Sequence, residues 1–212
     1  GTYIIEDAVM QEQDAILNVK GADKLANKAS VLFADTLTYP QTVGGIFAAA
    51  CAQAGITPKS TTFINSGTSI PIKPAWSEKT SCRDVISYVA CLACGFARID
   101  RAGLLEIVTF DSANDYSIGT DRYIQIDKNG TTFGPLNALT VIPEGQDKTP
   151  IRVAMDLDIQ DTEQNSVGVQ GNPLLTATST TAISAMLAGL QGLTYDSARA
   201  NWQGDPTVTT GD

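Results

Sequence analysis

At 212 residues the chain is long enough for one large domain or two small ones, and needs no disulfide or metal staple. Its net charge of −9 makes phosphate backbones and anionic lipid poor partners. It contains no histidine, which excludes Ser-His-Asp and Cys-His catalysis and histidine-based zinc sites from the chain.

Charged residues make up 17% of the chain, against roughly 25% in ordinary soluble domains. Ser, Thr, Asn and Gln fill the difference, as in β-rich assembly proteins whose surfaces neighbours partly cover. No apolar run approaches the roughly 20 residues of a membrane span, and no basic-then-apolar signal peptide opens the chain. Gly1 in place of a Met, and a turn-like Thr210-Gly211-Asp212, lead us to expect a fragment of a longer polypeptide.

From Gly1 to Phe33 the chain alternates weakly. Ala15, Leu17 and Val19 point one way and Asn18 and Lys20 the other, the period of a half-buried strand. Val31-Leu32-Phe33 forms a second apolar run. After Tyr39-Pro40, Thr42 can cap a helix with Val43, Ile46, Phe47, Ala50 and Cys51 on one face and Gly55 as its stop. Residues 57–79 carry Pro58, Gly67, Pro71 and Pro74 and suggest short strand pieces and loop around Phe63-Ile64.

A second helix is capped by Thr80 or Ser81, with Asp84 in its first turn, where the helix dipole favours an acid. Val85, Ile86, Val89, Ala90, Leu92 and Ala93 form its buried side, and Gly95 is the expected end. A hairpin follows, Phe96–Ile99 with Leu104–Phe110, closed by Asp100-Arg101-Ala102-Gly103. The two helices resemble each other at a spacing of 42 residues, Val43 with Val85 and Phe47 with Val89, as two similar helices on one small sheet would.

From Ile118 the period returns to two. Tyr123-Ile124-Gln125-Ile126 leads into Asn129-Gly130, a short-range hairpin signal. Ile151, Val153, Met155, Leu157 and Ile159 alternate with polar neighbours and predict one long amphipathic strand. A last helix fits Thr180–Leu190, with Ile183, Met186, Leu187 and Leu190 inward and Gly192 beyond it. Tyr195–Trp202 suggests a strand before a Gly204-Asp205-Pro206 turn. The fold class expected is α+β. A β-rich, barrel-like body from residues 1–35 plus 113–212 is interrupted by an inserted small α/β domain, helices on a sheet, at 36–112.

Two stretches resemble a known family. Thr80-Ser-Cys-Arg-Asp-Val-Ile-Ser-Tyr-Val-Ala, continuing through Cys94-Gly-Phe-Ala-Arg-Ile-Asp-Arg-Ala-Gly-Leu-Leu-Glu, is similar to a run in tail proteins of phages and prophages of Gram-positive bacteria. Asn172-Pro173-Leu174-Leu175, the following helix, Leu193-Thr-Tyr195, Gly204-Asp205-Pro206 and Gly211-Asp212 resemble the ending of the same hub region. Tyr39-Pro40 and the helix leading to Ala54-Gly55-Ile56 fit as well, so the resemblance covers roughly residues 15 to 212. Ala102 departs from it, where these proteins commonly have Asp or Asn.

The resemblance implies a structural tail-tip (baseplate hub) protein, similar to the N-terminal region of tail-associated proteins and located in the virion tail after assembly in the bacterial cytoplasm. It implies a homotrimer that docks other tail proteins: the distal tail or tube, and downstream fibre or cell-wall-degrading (lysin) domains. Neither an enzyme nor a cofactor is expected, and no specific nucleic-acid binding or membrane insertion. Acidic groups facing a central channel would keep DNA from sticking. The alternative is a cell-wall carbohydrate-binding or lysin-associated domain of a tail protein. A lysin needs a histidine, a Cys with a base, or a spaced carboxylate pair; a carbohydrate-binding module needs clustered exposed aromatics, and aromatic content is only 7%.

No catalytic, cofactor-binding or metal-ligating residue is assigned. Cys91-Leu-Ala-Cys94 has redox spacing but sits at a helix end, where the dipole disfavours thiolate. Cys82 and Cys91 are nine residues apart on opposite sides of one helix and Cys51 is on another, so buried thiols are expected rather than a zinc site. A disulfide between the helices is the alternative, against which a cytoplasmic origin argues. Asp156, Asp158, Asp161 and Glu163 could suggest Ca²⁺ or a glycosidase pair, but suit the solvated face of the predicted strand better. Asn129-Gly130-Thr131 matches a glycosylation sequon at a hairpin tip. Gly168-Val-Gln-Gly171-Asn172 reads as loop rather than phosphate cradle, and Trp76 and Trp202 as packing residues rather than carbohydrate platforms.

Overall fold

The computed structural model describes residues 4–11, 16–110, 123–128, 130, 132–145, 147–196 and 198–202. Two units emerge, Gly1–Val108 and Thr109–Asp212.

In the first unit, β1 (Ile4–Gln11) pairs antiparallel with β2 (Ile16–Ala22), Gln11 opposite Ile16 and Ile4 opposite Ala22. Strand β2 falls where the alternation predicts one; Ala15 lies outside the described residues. A short helix, α1 (Lys24–Lys28), follows, with Asp23 accepting from the Ala26 amide. Of Val31-Leu32-Phe33 only Phe33 is buried; its amide donates to the Thr80 carbonyl at 2.9 Å.

Strand β3 (Gln41–Thr42) runs into α2 (Val43–Ala54) and pairs with β4 (Ser69–Ile70). Thr42 Oγ1 accepts from the Gly45 amide at 3.0 Å, and Gly55 ends the helix at φ 64°. Val43, Ile46, Phe47, Ala50 and Cys51 are all fully buried, as the stripe predicts. The second helix, α3 (Cys82–Leu92), opens with a capping box: Ser81 Oγ accepts from the Asp84 amide, and Asp84 Oδ2 accepts from the Ser81 amide. Helices α2 and α3 pack together. Burial of Phe47, Ile46, Ile86 and Leu92 stabilises this core by about 1.5–3 kcal/mol per side chain.

Gly95 is not the helix stop. Cys94 takes the left-handed conformation at φ 57°, and Gly95 already belongs to β5 (Gly95–Ile99). Asn65 on a neighbouring loop donates from Nδ2 to the Leu92 carbonyl at 2.9 Å, satisfying a helix-end acceptor from outside the helix. Strands β5 and β6 (Leu105–Thr109) form the expected hairpin, with Gly103 at φ 80°. Residues 57–59 run alongside β6 through Leu105 N to Thr57 O (2.9 Å) and Lys59 N to Leu105 O (2.7 Å). That pairing brings Lys59 Nζ to Glu106 Oε2 at 2.5 Å, while Arg98 Nε reaches Glu106 Oε1 at 2.7 Å across the hairpin. Burial opposes ionisation of Glu106, but the bonds from Lys59 and Arg98 outweigh it and hold the carboxyl below its ordinary range.

In the second unit, β7 (Tyr123–Lys128) pairs antiparallel with β11 (Ala198–Trp202) rather than with a neighbour across a tight turn. Gly130 has φ 106°; Asn129 lies outside the described residues. The main sheet has the order β10-β8-β9, from β8 (Ala138–Ile142), β9 (Ile151–Ala154) and β10 (Ser166–Gln170). Strands β8 and β10 are parallel, β8 and β9 antiparallel. Helix α4 (Thr180–Gly189) packs on β8 and β9, with Ile183, Met186 and Leu187 buried.

Mixed helices and small sheets make the chain α+β. No sheet among the described residues closes on itself; each has two or three short strands, so they do not form the barrel-like body that the alternation suggested. The turns Gly204-Asp205-Pro206 and Thr210-Gly211-Asp212 lie outside the described residues.

Gly134, at φ 99°, passes so close to the Leu193–Thr194 backbone that a Cβ there would lie 2.2 Å from the Leu193 carbonyl oxygen. Gly134→Ala should therefore destabilise the second unit by at least about 2 kcal/mol in urea denaturation. Gly168→Ala, where a Cβ would meet open space, should change stability by less than about 0.5 kcal/mol. Equal effects would contradict the close approach.

The depressed folded pKa of Glu106 fixes a sign. Its stabilisation is present above the unfolded pKa of about 4.3 and is lost as pH falls through the folded value. Glu106→Gln should be less stable than wild type at pH 7 and lose less stability between about pH 5 and 3. Denaturation curves across that range that stay parallel for the two proteins would contradict the network.

Candidate functional site: an apolar display beside an open cleft

Strand β9 stops at Ala154 although the alternation continues to Ile159. The predicted long strand ends early: at Asp156 the backbone meets the side chain of Asn137 rather than a neighbouring strand. That side chain, on a residue only 5% exposed, donates from Nδ2 to the Asp156 carbonyl and accepts from the Asp156 amide on Oδ1, both at 3.0 Å. These two bonds satisfy both backbone groups of Asp156 just beyond the point where the regular β8–β9 pairing ends. Asp156 Oδ1 then accepts from the Asp158 amide at 2.9 Å, an Asx turn that bends the chain away from the sheet.

A second asparagine holds the far end of this segment. Asn165 Oδ1 accepts from the Thr162 amide at 2.7 Å, and its Nδ2 donates to the Gln160 carbonyl at 3.1 Å. The Asn137 amide in turn donates to the Asn165 carbonyl at 2.7 Å, tying the two clamps together. Arg152 on β9 closes the loop over Asp161 through two parallel 2.7 Å bonds, Nε to Oδ2 and Nη2 to Oδ1. The guanidinium holds the Asp161 carboxyl below the usual range.

With its backbone so fixed, the segment points apolar side chains at solvent. Leu157 is 78% exposed, Ile159 45% and Met155 43%. Met155 and Ile159 also line an open cleft of about 600 Å³, whose other walls include Pro135, Leu136 and Gln191. Apolar side chains held outward by hydrogen-bonded backbone suit contact with another protein surface, since their exposure costs free energy until they are covered.

The four carboxylates of the acidic run do different things. Asp156 shapes the turn and Asp161 pairs with Arg152, while Asp158 and Glu163 are exposed. Among the described residues, no three His, Cys, Asp or Glu side chains are placed to hold a metal ion together.

No disulfide joins the four cysteines; Cys51, Cys82 and Cys94 are buried and Cys91 is half-buried. Burial pushes Cys51 up to about 12, with Cys82 nearby adding to it, and pushes Cys94 up to about 12 as well. Cys82 is also raised by burial, so these three thiols are poor nucleophiles at neutral pH.

Trp76 is a packing residue. It stacks on Tyr88 (centroids 6.3 Å apart, 18°), meets Phe33 edge-on (5.6 Å, 83°) and donates from Nε1 to Asp35 Oδ2 at 2.7 Å. Tyr39 donates its hydroxyl to the same oxygen at 2.7 Å; burial, then the Asp35 bond, raises its pKa. Gly168 lies within β10, opposite Thr140, and the expected loop starts only at Gly171, φ 72°. Its strand character comes from pairing with β8, which local glycine content does not reveal. Asn172 Oδ1 accepts from the Leu174 amide at 3.0 Å, turning the chain so that Leu174 and Leu175 are buried. The sequon residues Asn129 and Thr131, and the Trp202 side chain, lie outside the described residues.

Asn137 and Asn165 do not stand out in the sequence as clamps. The available signal was an asparagine immediately before each of the apolar stretches Ala138–Ile142 and Ser166–Gln170, which is weak without knowing that those stretches pair.

No protein-family model matches the chain, and no curated protein matches it. Solved structures similar to it include the tail protein from Neisseria meningitidis MC58, at 11% identity and a TM-score of 0.49, covering 87% of this chain and 57% of that one. Another is the 43 kDa tail protein of prophage MuSo2 from Shewanella oneidensis, at 14% identity and a TM-score of 0.45, covering 85% and 54%. The chain thus spans a little over half the length of each of these two proteins.

Asn137→Ala should destabilise the second unit by about 1–3 kcal/mol, because it removes two hydrogen bonds to the Asp156 backbone. Leu157→Ser should leave stability within about 0.5 kcal/mol of wild type, given its exposure. Urea denaturation of both variants checks this; an Asn137→Ala protein as stable as Leu157→Ser would contradict the clamp.

Proposed function

We propose that the chain is a structural module of a phage or prophage tail tip, acting by self-assembly and by docking other tail proteins, with no catalytic step of its own. The observation that carries this reading is the Met155–Ile159 display: three exposed apolar side chains on a segment fixed at both ends by asparagine clamps. Such a surface is built for covering by protein. The class of assembly comes from the ordered tail-protein motifs. Two of these are fold-setting in the structure: the Ser81–Asp84 capping box and the Asn172 turn.

In this reading the module sits at the hub or baseplate, forms a homotrimer, and meets the distal tail or tube on one side and fibre or lysin domains on the other.

Light scattering on a sizing column, over a range of concentrations, tests the self-assembly. The expected mass is near three times 22.3 kDa at the upper concentrations. A strict monomer at every concentration would contradict self-assembly by this chain.

A further inference from the structure

We draw no further inference here: the strongest candidate, the open cleft between Pro135, Met155, Ile159 and Gln191 in the second unit, belongs to the surface already described, and nothing in the structure shows what covers it.

Discussion

The second unit turns on one buried amide. Asn137 sits at the entry to β8 and bonds both backbone groups of Asp156, two residues beyond the end of β9. Each bond contributes about 1 kcal/mol net, and a side chain lacking either a donor or an acceptor would lose one of them, which makes Asn137 hard to replace. It also sets the geometry: the strand ends, the Asx turn at Asp156 begins, and the next apolar residues face water instead of the sheet. Asn165 and the Arg152–Asp161 pair fix the rest of the turn, so the display has little conformational freedom left to lose on contact.

The first unit is organised differently. Its core is two helices started by hydroxyl caps, Thr42 and Ser81, whose apolar faces meet each other. The loops around them are held by polar side chains reaching across sequence. Gln53 on α2 makes paired bonds to the Ala34 backbone at 2.9 and 2.8 Å, and Asp35 gathers Tyr39 and Trp76.

The sequence is most legible where structure is local. The helices at 43–54 and 82–92, their caps and the Asp100–Gly103 turn follow from a 3.6-residue period and short-range capping chemistry. Legibility fails where a distant partner decides. The 151–159 alternation is a strand pattern, yet past Ala154 the backbone is held by distant side chains such as Asn137 instead of by a strand partner. Parallel pairing of β10 with β8 makes a strand of a glycine-containing stretch whose alternation at Val167 and Val169 is too short to decide against a loop. Cys94 adopts a backbone conformation usually left to glycine one residue before a glycine that does not need it, which no local rule anticipates. The display is hidden for the same reason, since its alternation is that of an amphipathic strand with one face inward.

If these exposed side chains are the contact surface, association must change their surroundings before those of other apolar groups. Methyl NMR of Met155, Leu157 and Ile159 across a concentration series tests this directly. The account predicts that their signals shift or broaden as the protein associates, while those of the buried Ile183 and Leu187 stay in place. Association that leaves the three display methyls unchanged would contradict it.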